Sequence, residues 1–311
     1  MPTGHAGSPP SPVKLALAFA SIYFVWGSTF LAIRYAIEEI PPFLMAGTRF
    51  ATAGAILYLW RRLVHGERPS WDQWPGALLV GALLFMGGNG SVVWSEQQVA
   101  SGLTALLLAT IPLWMVLLDA LRHDGAPVTR RVIAGVALGL SGLAILVEPS
   151  KLLGGGRVAP VGAGVLVAGS LCWATGSLVS RRLRQPPSAP LSAGMQMMMG
   201  GVILLLAGAA SGELVRLDPR GLTPRGFLSL SYLILFGSVV SFTAYTWLLT
   251  VTTPARVATY AYVNPIVAVL LGWILANEPL TPRTLLATVV IVTAVAMIIS
   301  SRTQKGIRRE V

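Results

Sequence analysis

Ten apolar runs, separated by short segments that carry most of the charges, fill the chain between residues 15 and 301. One of them, residues 257–277, holds 21 residues without a charge. At about 1.5 Å of rise per helical residue, this run measures about 30 Å, the thickness of the hydrocarbon core of a bilayer. Its length and composition predict a transmembrane helix.

The same criterion predicts ten spans, and we expect an all-α polytopic membrane protein because helices pair their own backbone groups in lipid. In chain order, the spans are predicted within residues 15–33, 40–60, 72–96, 96–119, 132–147, 157–181, 184–213, 225–256, 257–277 and 284–301.

Composition agrees with a membrane protein. Charged residues make up only 11% of the chain, whereas soluble domains carry about 25%. The net charge of +11 does not indicate nucleic-acid binding, because the basic residues lie in short loops rather than on one soluble face. Cys172, the single cysteine, lies inside a span, so no intrachain disulfide is expected. With no Cys and His at metal-ligand spacing and no P-loop, we expect no metal, cofactor or ATP-driven step.

The distribution of Lys and Arg predicts the orientation. Segments on the side of the two termini carry fifteen of these residues and the opposite loops carry six. Because positive loops stay inside, both termini are predicted to be cytoplasmic. Residues 1–14, rich in Pro, Gly and Ser, are predicted to be a disordered tail, and residues 302–311 a basic tail.

Two halves of the chain match weakly, which predicts a duplication. Aligned without gaps, residues 100–147 and 253–300 share nine identities in 48 positions, including Pro112 with Pro265 and Arg130 with Arg283. Five spans duplicated within ten must enter the membrane from opposite sides, so we expect two inverted five-helix repeats. The predicted repeats are residues 15–147 and 161–301, joined by an external linker at 148–160.

The matched prolines predict where a binding site lies. Pro265 has no N–H, so the helix is expected to kink and to leave the carbonyl of Ala261 unpaired. Interrupted helices in matching positions of two repeats indicate a cavity near the membrane midplane. Tyr260 and Asn264 stand four residues apart and share one face of this helix, which we expect to face the interior of the bundle.

Seven short motifs extend over nearly the whole chain. They are Trp26-Gly27-Ser28-Thr29-Phe30-Leu31-Ala32-Ile33-Arg34, Pro41-Pro42, Arg49-Phe50, Ala109-Thr110-Ile111-Pro112-Leu113-Trp114, Leu235-Phe236-Gly237-Ser238, Tyr260-Ala261-Tyr262-Val263-Asn264-Pro265 and Glu278-Pro279-Leu280-Thr281. Together they resemble the EamA branch of the drug/metabolite transporter superfamily, and within it the YedA-type exporters of the bacterial inner membrane. The resemblance implies a 5+5 inverted-repeat bundle with a central cavity and efflux of small metabolites, amino acids among them.

The candidate site residues are polar or aromatic side chains inside the spans. The predicted substrate-binding residues are Trp26, Ser28, Asn89, Trp173, Tyr232, Tyr245, Tyr260 and Asn264, and the predicted gating or hinge residues are Arg49, Glu96, Pro112 and Pro265. For Tyr260 and Asn264 the alternative is an interhelical hydrogen bond, and for Trp26 and Trp173 it is packing. For Arg49 the alternative to a gate formed with Glu96 is pairing among the charges at the outer surface, with its long side chain snorkelling toward water.

The types of charge within the spans restrict the solute. Lysine is absent from the spans and no acidic residue lies near the centre of one, which favours neutral or zwitterionic metabolites. A multidrug or hydrophobic-solute exporter is the alternative, and a non-transporting scaffold or signalling protein the second. An enzyme is not expected, because the three His lie in the tail or loops. The expected partners are the solute and the lipid bilayer, with a monomer or homodimer both open.

Overall fold

The predicted apolar runs form helices, and the described part of the chain contains no strand. The structure, a computed structural model, describes residues 11–95, 97, 104, 107–121, 129–147, 160–186, 188–218, 221–276 and 282–300. Glu96, most of the predicted linker at 148–160, residues 1–10 of the predicted N-terminal tail and the predicted C-terminal tail lie outside these residues.

The helices are numbered in chain order, and the four-residue turns Glu213–Arg216 and Pro254–Val257 are left unnumbered. They are α1 (Pro12–Ile37), α2 (Pro42–Val64), α3 (Trp71–Ser95), α4 (Ile111–Ala120), α5 (Arg130–Val147), α6 (Pro160–Ser180), α7 (Ala189–Ala210), α8 (Pro224–Val251), α9 (Tyr260–Ala276) and α10 (Pro282–Ser300).

Within the described residues, six helices are long and apolar enough to cross a membrane: α1, α2, α3, α6, α7 and α8. Shorter apolar segments lie at Ile111–Ala120 in α4 and at Leu285–Ile298 in α10. The chain is therefore an all-helical polytopic membrane protein, as predicted. The number of ten spans and their arrangement as inverted repeats stay predictions.

Prolines begin several helices, because the first turn of a helix needs no N–H from that residue. Five helices have a proline in their first turn: Pro12, Pro42, Pro112, Pro190 and Pro224. Since α1 begins at Pro12, residues 12–14 of the predicted disordered tail are helical. We call the end of the bundle where α1 begins the Lys14 end and the opposite end the Ile37 end.

Helix α2 packs closely along α7, and glycines permit this approach. A Cβ atom at Gly54 would lie 2.4 Å from the Met198 nitrogen, and one at Gly201 would lie 2.3 Å from the Ala51 nitrogen. Small residues at helix contacts are the usual means of close packing in membranes, where lipid supplies no hydrophobic drive between helices. The pair α5 and α10 packs in the same side-by-side manner.

Three helices contain π-helical turns, at Ser21–Val25 in α1, Ala82–Gly90 in α3 and Leu233–Val240 in α8. Such turns widen the helix and interrupt the regular hydrogen-bond ladder, and they are frequent at functional sites. All three lie in the middle of their helices, and the largest hydrophobic core cluster includes residues of each of them. They therefore place irregular backbone in the middle of the bundle.

Candidate functional site

A cavity of about 120 Å³ lies between α1, α2, α3, α4, α6, α8 and α9. On α1 its lining residues all lie between Trp26 and Ile33, in the half of the helix nearer the Ile37 end. The full lining is Trp26, Thr29, Ile33, Arg49, Phe50, Phe85, Gly88, Asn89, Val92, Leu108, Ile111, Gly169, Trp173, Gly237, Phe242, Tyr260, Ala261, Asn264 and Pro265. The wall is thus mainly apolar, with polar groups at a few points, as is usual for small-molecule sites.

Aromatic rings form one wall of the cavity. The Trp26 ring contacts Tyr260 edge to face, with 4.8 Å between centroids, and Trp173 in the same manner at 5.9 Å. The Trp26 indole nitrogen also donates to the carbonyl of Gly237 at 2.9 Å, which joins α1 to α8. The rings are therefore fixed both by edge-to-face packing and by a hydrogen bond.

Asn264 joins α9 to the π-helical turn of α1. Its amide is assigned with the nitrogen toward α1, because the neighbouring groups on that side are all acceptors; the nitrogen then lies 3.1 Å from the carbonyl oxygen of Ile22, 3.0 Å from that of Tyr23 and 3.1 Å from that of Tyr260. The interhelical hydrogen bond considered from the sequence is therefore present, and Asn264 also lines the cavity. The two roles occur together because the irregular turn of α1 offers carbonyl groups beside the cavity.

Close to Asn264, two hydrogen bonds seal the Lys14 side of the cavity. Tyr23 Oη and Thr259 Oγ1 lie 2.6 Å apart, and the hydroxyls of Ser21 and Ser241 lie 2.9 Å apart. Since the Thr259 hydroxyl donates to the carbonyl of Arg256 at 2.6 Å, it accepts from Tyr23. These contacts, which we call the Lys14-side closure, hold α1 against α8 and the start of α9.

Asn89 lies in the π-helical turn of α3 and lines the cavity. Its amide nitrogen donates to the carbonyl of Leu84 at 3.3 Å. The neighbouring glycines allow close packing, since a Cβ at Gly87 would lie 2.7 Å from Cys172 and one at Gly88 2.8 Å from Trp173. Close helix packing and a departure from regular α-helix therefore both occur at this position.

Arg49 is buried at the cavity wall, with 5% of its surface exposed. Its Nε donates to Ser238 Oγ at 2.8 Å, and its guanidinium carbon lies 4.6 Å from the centre of the Phe50 ring. The expectation that this side chain snorkels to water is wrong: it points into the bundle between α2 and α8. Within the described chain, Arg49 forms no ion pair.

The acidic residues at the Ile37 end have other partners. Glu38 accepts from Arg225 at 2.6 Å, while the Arg34 side chain, four residues before Glu38 and considered as its partner, lies outside the described side chains. Glu39 accepts from the Thr223 backbone nitrogen at 2.8 Å and from its hydroxyl at 2.6 Å, and these bonds hold the pKa of the Glu39 carboxyl below its ordinary value. The α1–α2 connection is thereby attached to the start of α8.

Three predicted substrate-binding residues lie behind the cavity wall. The hydroxyls of Ser28 and Tyr232 lie 2.5 Å apart, and neither residue is among those lining the cavity. Tyr245 is fully buried, accepts from the Trp173 indole nitrogen at 3.0 Å and lies 2.5 Å from the hydroxyl of Ser177. Tyr245 thus supports the aromatic wall from behind.

The predicted gating and hinge residues differ in position. Pro265 lies inside α9 and lines the cavity, whereas Pro112 lies in the first turn of α4, where it removes no helical hydrogen bond. The interruption before α9 is at Ala258 and Thr259, ahead of Pro265. Glu96 lies outside the described residues, so its pairing with Arg49 stays a prediction.

Several lining residues were not expected from the sequence. Thr29, Phe50, Phe85, Phe242 and Gly237 sit among many similar residues in apolar spans, and only packing brings them to one cavity. A partial signal exists for Thr29 and Phe50, because each lies within a motif that contains an expected residue, and Gly237 lies within another of the motifs. The phenylalanines of α3 and α8 have no such signal.

A polytopic bundle of helices that encloses a cavity is typical of the class of membrane transporters. The comparison with known proteins agrees: the EamA-like transporter family model matches residues 13–148 and again 160–300. The chain belongs to the EamA family of the drug/metabolite transporter superfamily.

Two relatives and one solved structure place the chain within this class. It is 37% identical to the uncharacterized inner membrane transporter YedA of Escherichia coli K12 over 282 residues, which is 90% of this chain and 89% of the relative. It is 26% identical to a probable amino-acid metabolite efflux pump of the same strain, over 88% of this chain and 90% of the relative. A crystal structure of a protein with 18% sequence identity to this chain matches it with a TM-score of 0.74. The match covers 94% of this chain and 100% of the crystallised chain, and it supports the fold.

Proposed function

We propose that this protein exports small neutral or zwitterionic metabolites, amino acids among them, across a bacterial inner membrane by alternating access. The cavity is the observation that carries the proposal: a mainly apolar chamber with six aromatic side chains and a few polar groups such as Asn264 and Asn89. Such a chamber matches a solute with an apolar part and a small number of hydrogen-bonding groups.

The helix pairings support two five-helix repeats. Besides the close pairs α2 with α7 and α5 with α10, the structure packs α3 on α6 as α8 packs on α1, and α4 on α6 as α9 packs on α1. If each helix of the first half is exchanged for the helix five numbers later, and the reverse, the α3–α6 pairing becomes α8–α1 and the α4–α6 pairing becomes α9–α1. The pairs α2–α7 and α5–α10 are unchanged by this exchange. The family model also matches twice, at 13–148 and 160–300, close to the proposed repeats 15–147 and 161–301. An inverted repeat places the cavity between equivalent helices of the two halves.

The Lys14-side closure supports alternating access. The lining of the cavity lies toward the Ile37 end on α1, while Tyr23 and Thr259 join α1 to α9 on the other side. In the proposed cycle, this closure opens when the Ile37 end closes, and the positive-inside bias makes the Lys14 end cytoplasmic. Arg49 and Glu96 are the proposed gate residues at the Ile37 end.

The hinge role of Pro265 has its own test. If the unpaired backbone before Pro265 allows α9 to bend, Pro265→Ala restores a helical hydrogen bond and slows transport more than it lowers the amount of folded protein. Pro112→Ala is the matched control, because Pro112 lies in the first turn of α4. An unchanged transport rate in Pro265→Ala contradicts the hinge.

Counterflow in proteoliposomes tests the function. Vesicles are loaded with unlabelled threonine, methionine or phenylalanine, and uptake of the labelled amino acid is followed without an imposed gradient. We expect faster uptake than in protein-free vesicles, and slower uptake in Asn264→Ala. Thr250→Ala is the control, because Thr250 is exposed on α8 and its hydroxyl bonds to its own helix. Absence of exchange by correctly inserted protein, for every amino acid tried, contradicts the proposal.

Export of larger hydrophobic solutes is the second candidate, and the apolar wall favours it. Phe50, Phe85, Phe242 and Ile33 contribute no hydrogen-bonding side chain to the cavity. Efflux of a hydrophobic dye from the same vesicles, without competition by amino acids, would favour this candidate.

A further inference from the structure

Among the described residues, no counter-charge faces Arg49 at the wall of the cavity. Arg49 Nε donates one hydrogen bond to Ser238 Oγ. A guanidinium group has five N–H donors, so this bond uses one of the five. No carboxylate of the described residues pairs with it, and the acidic residues Glu38, Glu39 and Glu213 are bound elsewhere. A buried charge is costly unless it is paired and its donors are satisfied.

The surroundings hold the guanidinium in one orientation toward the cavity. A Cβ at Gly237 would lie 2.9 Å from Arg49 Nη2 and 3.0 Å from the methyl carbon of Thr29, so the glycine provides the space in which this end of the side chain lies. Phe50 packs against the guanidinium, and Ser238 fixes Nε. A group fixed in this way is ready to bind a ligand with little loss of side-chain entropy.

We propose that Arg49 binds the carboxylate of the transported solute, which makes the substrate an amino acid carried as a zwitterion. The inference rests on the proposed export function and narrows it from neutral or zwitterionic solutes to those with a carboxylate. A planar carboxylate accepts two parallel hydrogen bonds from a guanidinium group.

The rest of the cavity excludes more highly charged solutes. Among the described residues that line it, Arg49 is the one basic residue, so a phosphate dianion would meet a single positive charge there. Part of the remaining wall is aromatic, where Trp26 contacts both Trp173 and Tyr260. Ring faces attract an ammonium group and also pack against apolar side chains. An amino acid with its carboxylate at Arg49 therefore satisfies both parts of the cavity.

A pair of probes that differ only at the carboxylate tests the subsite. L-phenylalanine and L-phenylalaninamide are compared as competitors of labelled phenylalanine in counterflow, and as stabilisers of the full-length protein in detergent by thermal unfolding. We expect the wild type to prefer the acid by roughly 30-fold or more, since removing one partner of a buried charge pair has an effect of that size. Arg49→Gln is expected to lose this preference, and Arg49→Lys to retain part of it.

Two further variants distinguish a carboxylate subsite at Arg49 from a gate pair and from a general loss of positive charge. Arg216→Gln removes an exposed arginine outside the cavity and is expected to keep the preference for the acid. Glu96→Gln is also expected to keep it. If Glu96→Gln loses the preference as fully as Arg49→Gln, the preference arises from the gate pair rather than from a carboxylate subsite at Arg49, and the proposal is overturned. Folded Arg49→Gln that still prefers the acid overturns it as well.

The two measurements distinguish this proposal from the proposed function. If the acid stabilises the protein in detergent more than the amide, through Arg49, but no counterflow occurs, the subsite stands and export of amino acids fails. If counterflow occurs with equal inhibition by the acid and the amide, transport stands and the carboxylate subsite is refuted.

Discussion

Removing the hydroxyl of Tyr23 tests the Lys14-side closure with little other disturbance. Tyr23→Phe deletes the hydrogen bond of 2.6 Å to Thr259 and keeps the ring, which packs on Phe19. Thr259 keeps a partner, because its hydroxyl donates to the carbonyl of Arg256. The variant therefore leaves no new buried donor without an acceptor.

The size of the effect follows from the value of one interhelical hydrogen bond in a membrane. Such bonds contribute about 0.6 kcal/mol on average and up to about 1.7 kcal/mol. Because about 1.4 kcal/mol is a tenfold change in an equilibrium constant, opening of the Lys14 end is expected to become roughly 3- to 18-fold more favourable in Tyr23→Phe.

Accessibility of one cysteine measures this equilibrium. Cys172 is the single cysteine, so Cys172→Ser combined with Ala258→Cys gives one thiol at a fully buried position beside Thr259. A membrane-impermeant maleimide is applied to each face of sealed vesicles. We expect Tyr23→Phe to increase the labelling rate roughly 3- to 18-fold when the maleimide is applied to one face, and to leave it unchanged when the maleimide is applied to the other. The predicted orientation makes the first of these the cytoplasmic face.

A matched tyrosine serves as the control. Tyr58 is partly buried and packs on Trp74, with 5.8 Å between ring centroids. Tyr58→Phe is expected to leave the labelling rate at Ala258→Cys unchanged. An unchanged rate in Tyr23→Phe, or an equal rise in Tyr58→Phe, refutes the assignment of Tyr23 and Thr259 to a closure.

Two further predictions concern stability, measured as Tm in detergent. Gly201→Ala is expected to destabilise the protein by about 1 to 3 kcal/mol, because the added Cβ would lie 2.3 Å from the Ala51 nitrogen. Gly164→Ala is the control, because no atom lies within 4 Å of a Cβ placed there. An equal loss of stability in the two variants would contradict this prediction. The Thr223 bonds lower the pKa of Glu39 from its ordinary 4.5, so their contribution is full above that pH and lost as pH falls through the lowered pKa. Glu39→Gln is expected to lower Tm at neutral pH and to remove this acid-dependent part, and an unchanged pH profile would contradict it.

Much of the fold follows from local sequence. The helix bounds agree with the predicted apolar runs to within a few residues for most helices, because a segment in lipid must pair its own backbone groups whatever its neighbours are. The prolines mark helix starts, as at Pro42 and Pro224. Pro112 shows the limit of this reasoning, since a proline that begins a helix and one that interrupts it, as Pro265 does, look alike in sequence.

The site was only partly predictable for a different reason. Seven expected residues line the cavity: Trp26, Arg49, Asn89, Trp173, Tyr260, Asn264 and Pro265. They were recognisable because a polar or large aromatic side chain, or a proline within a span, is costly in an apolar span and needs a reason to be there. Tyr245 and Tyr232 satisfy the same criterion, yet they lie behind the wall, hydrogen bonded to neighbouring helices.

The sequence by itself determined the class, an all-helical membrane protein, because hydrophobic length and backbone pairing are properties of each segment alone. Tertiary structure decided which side chains face the cavity and which face each other. It directed Arg49 inward to Ser238 and left it without an acidic partner among the described residues. The physical reason is that rotation of a helix about its axis, and the π-helical turns that alter it, are set by packing between helices distant in sequence.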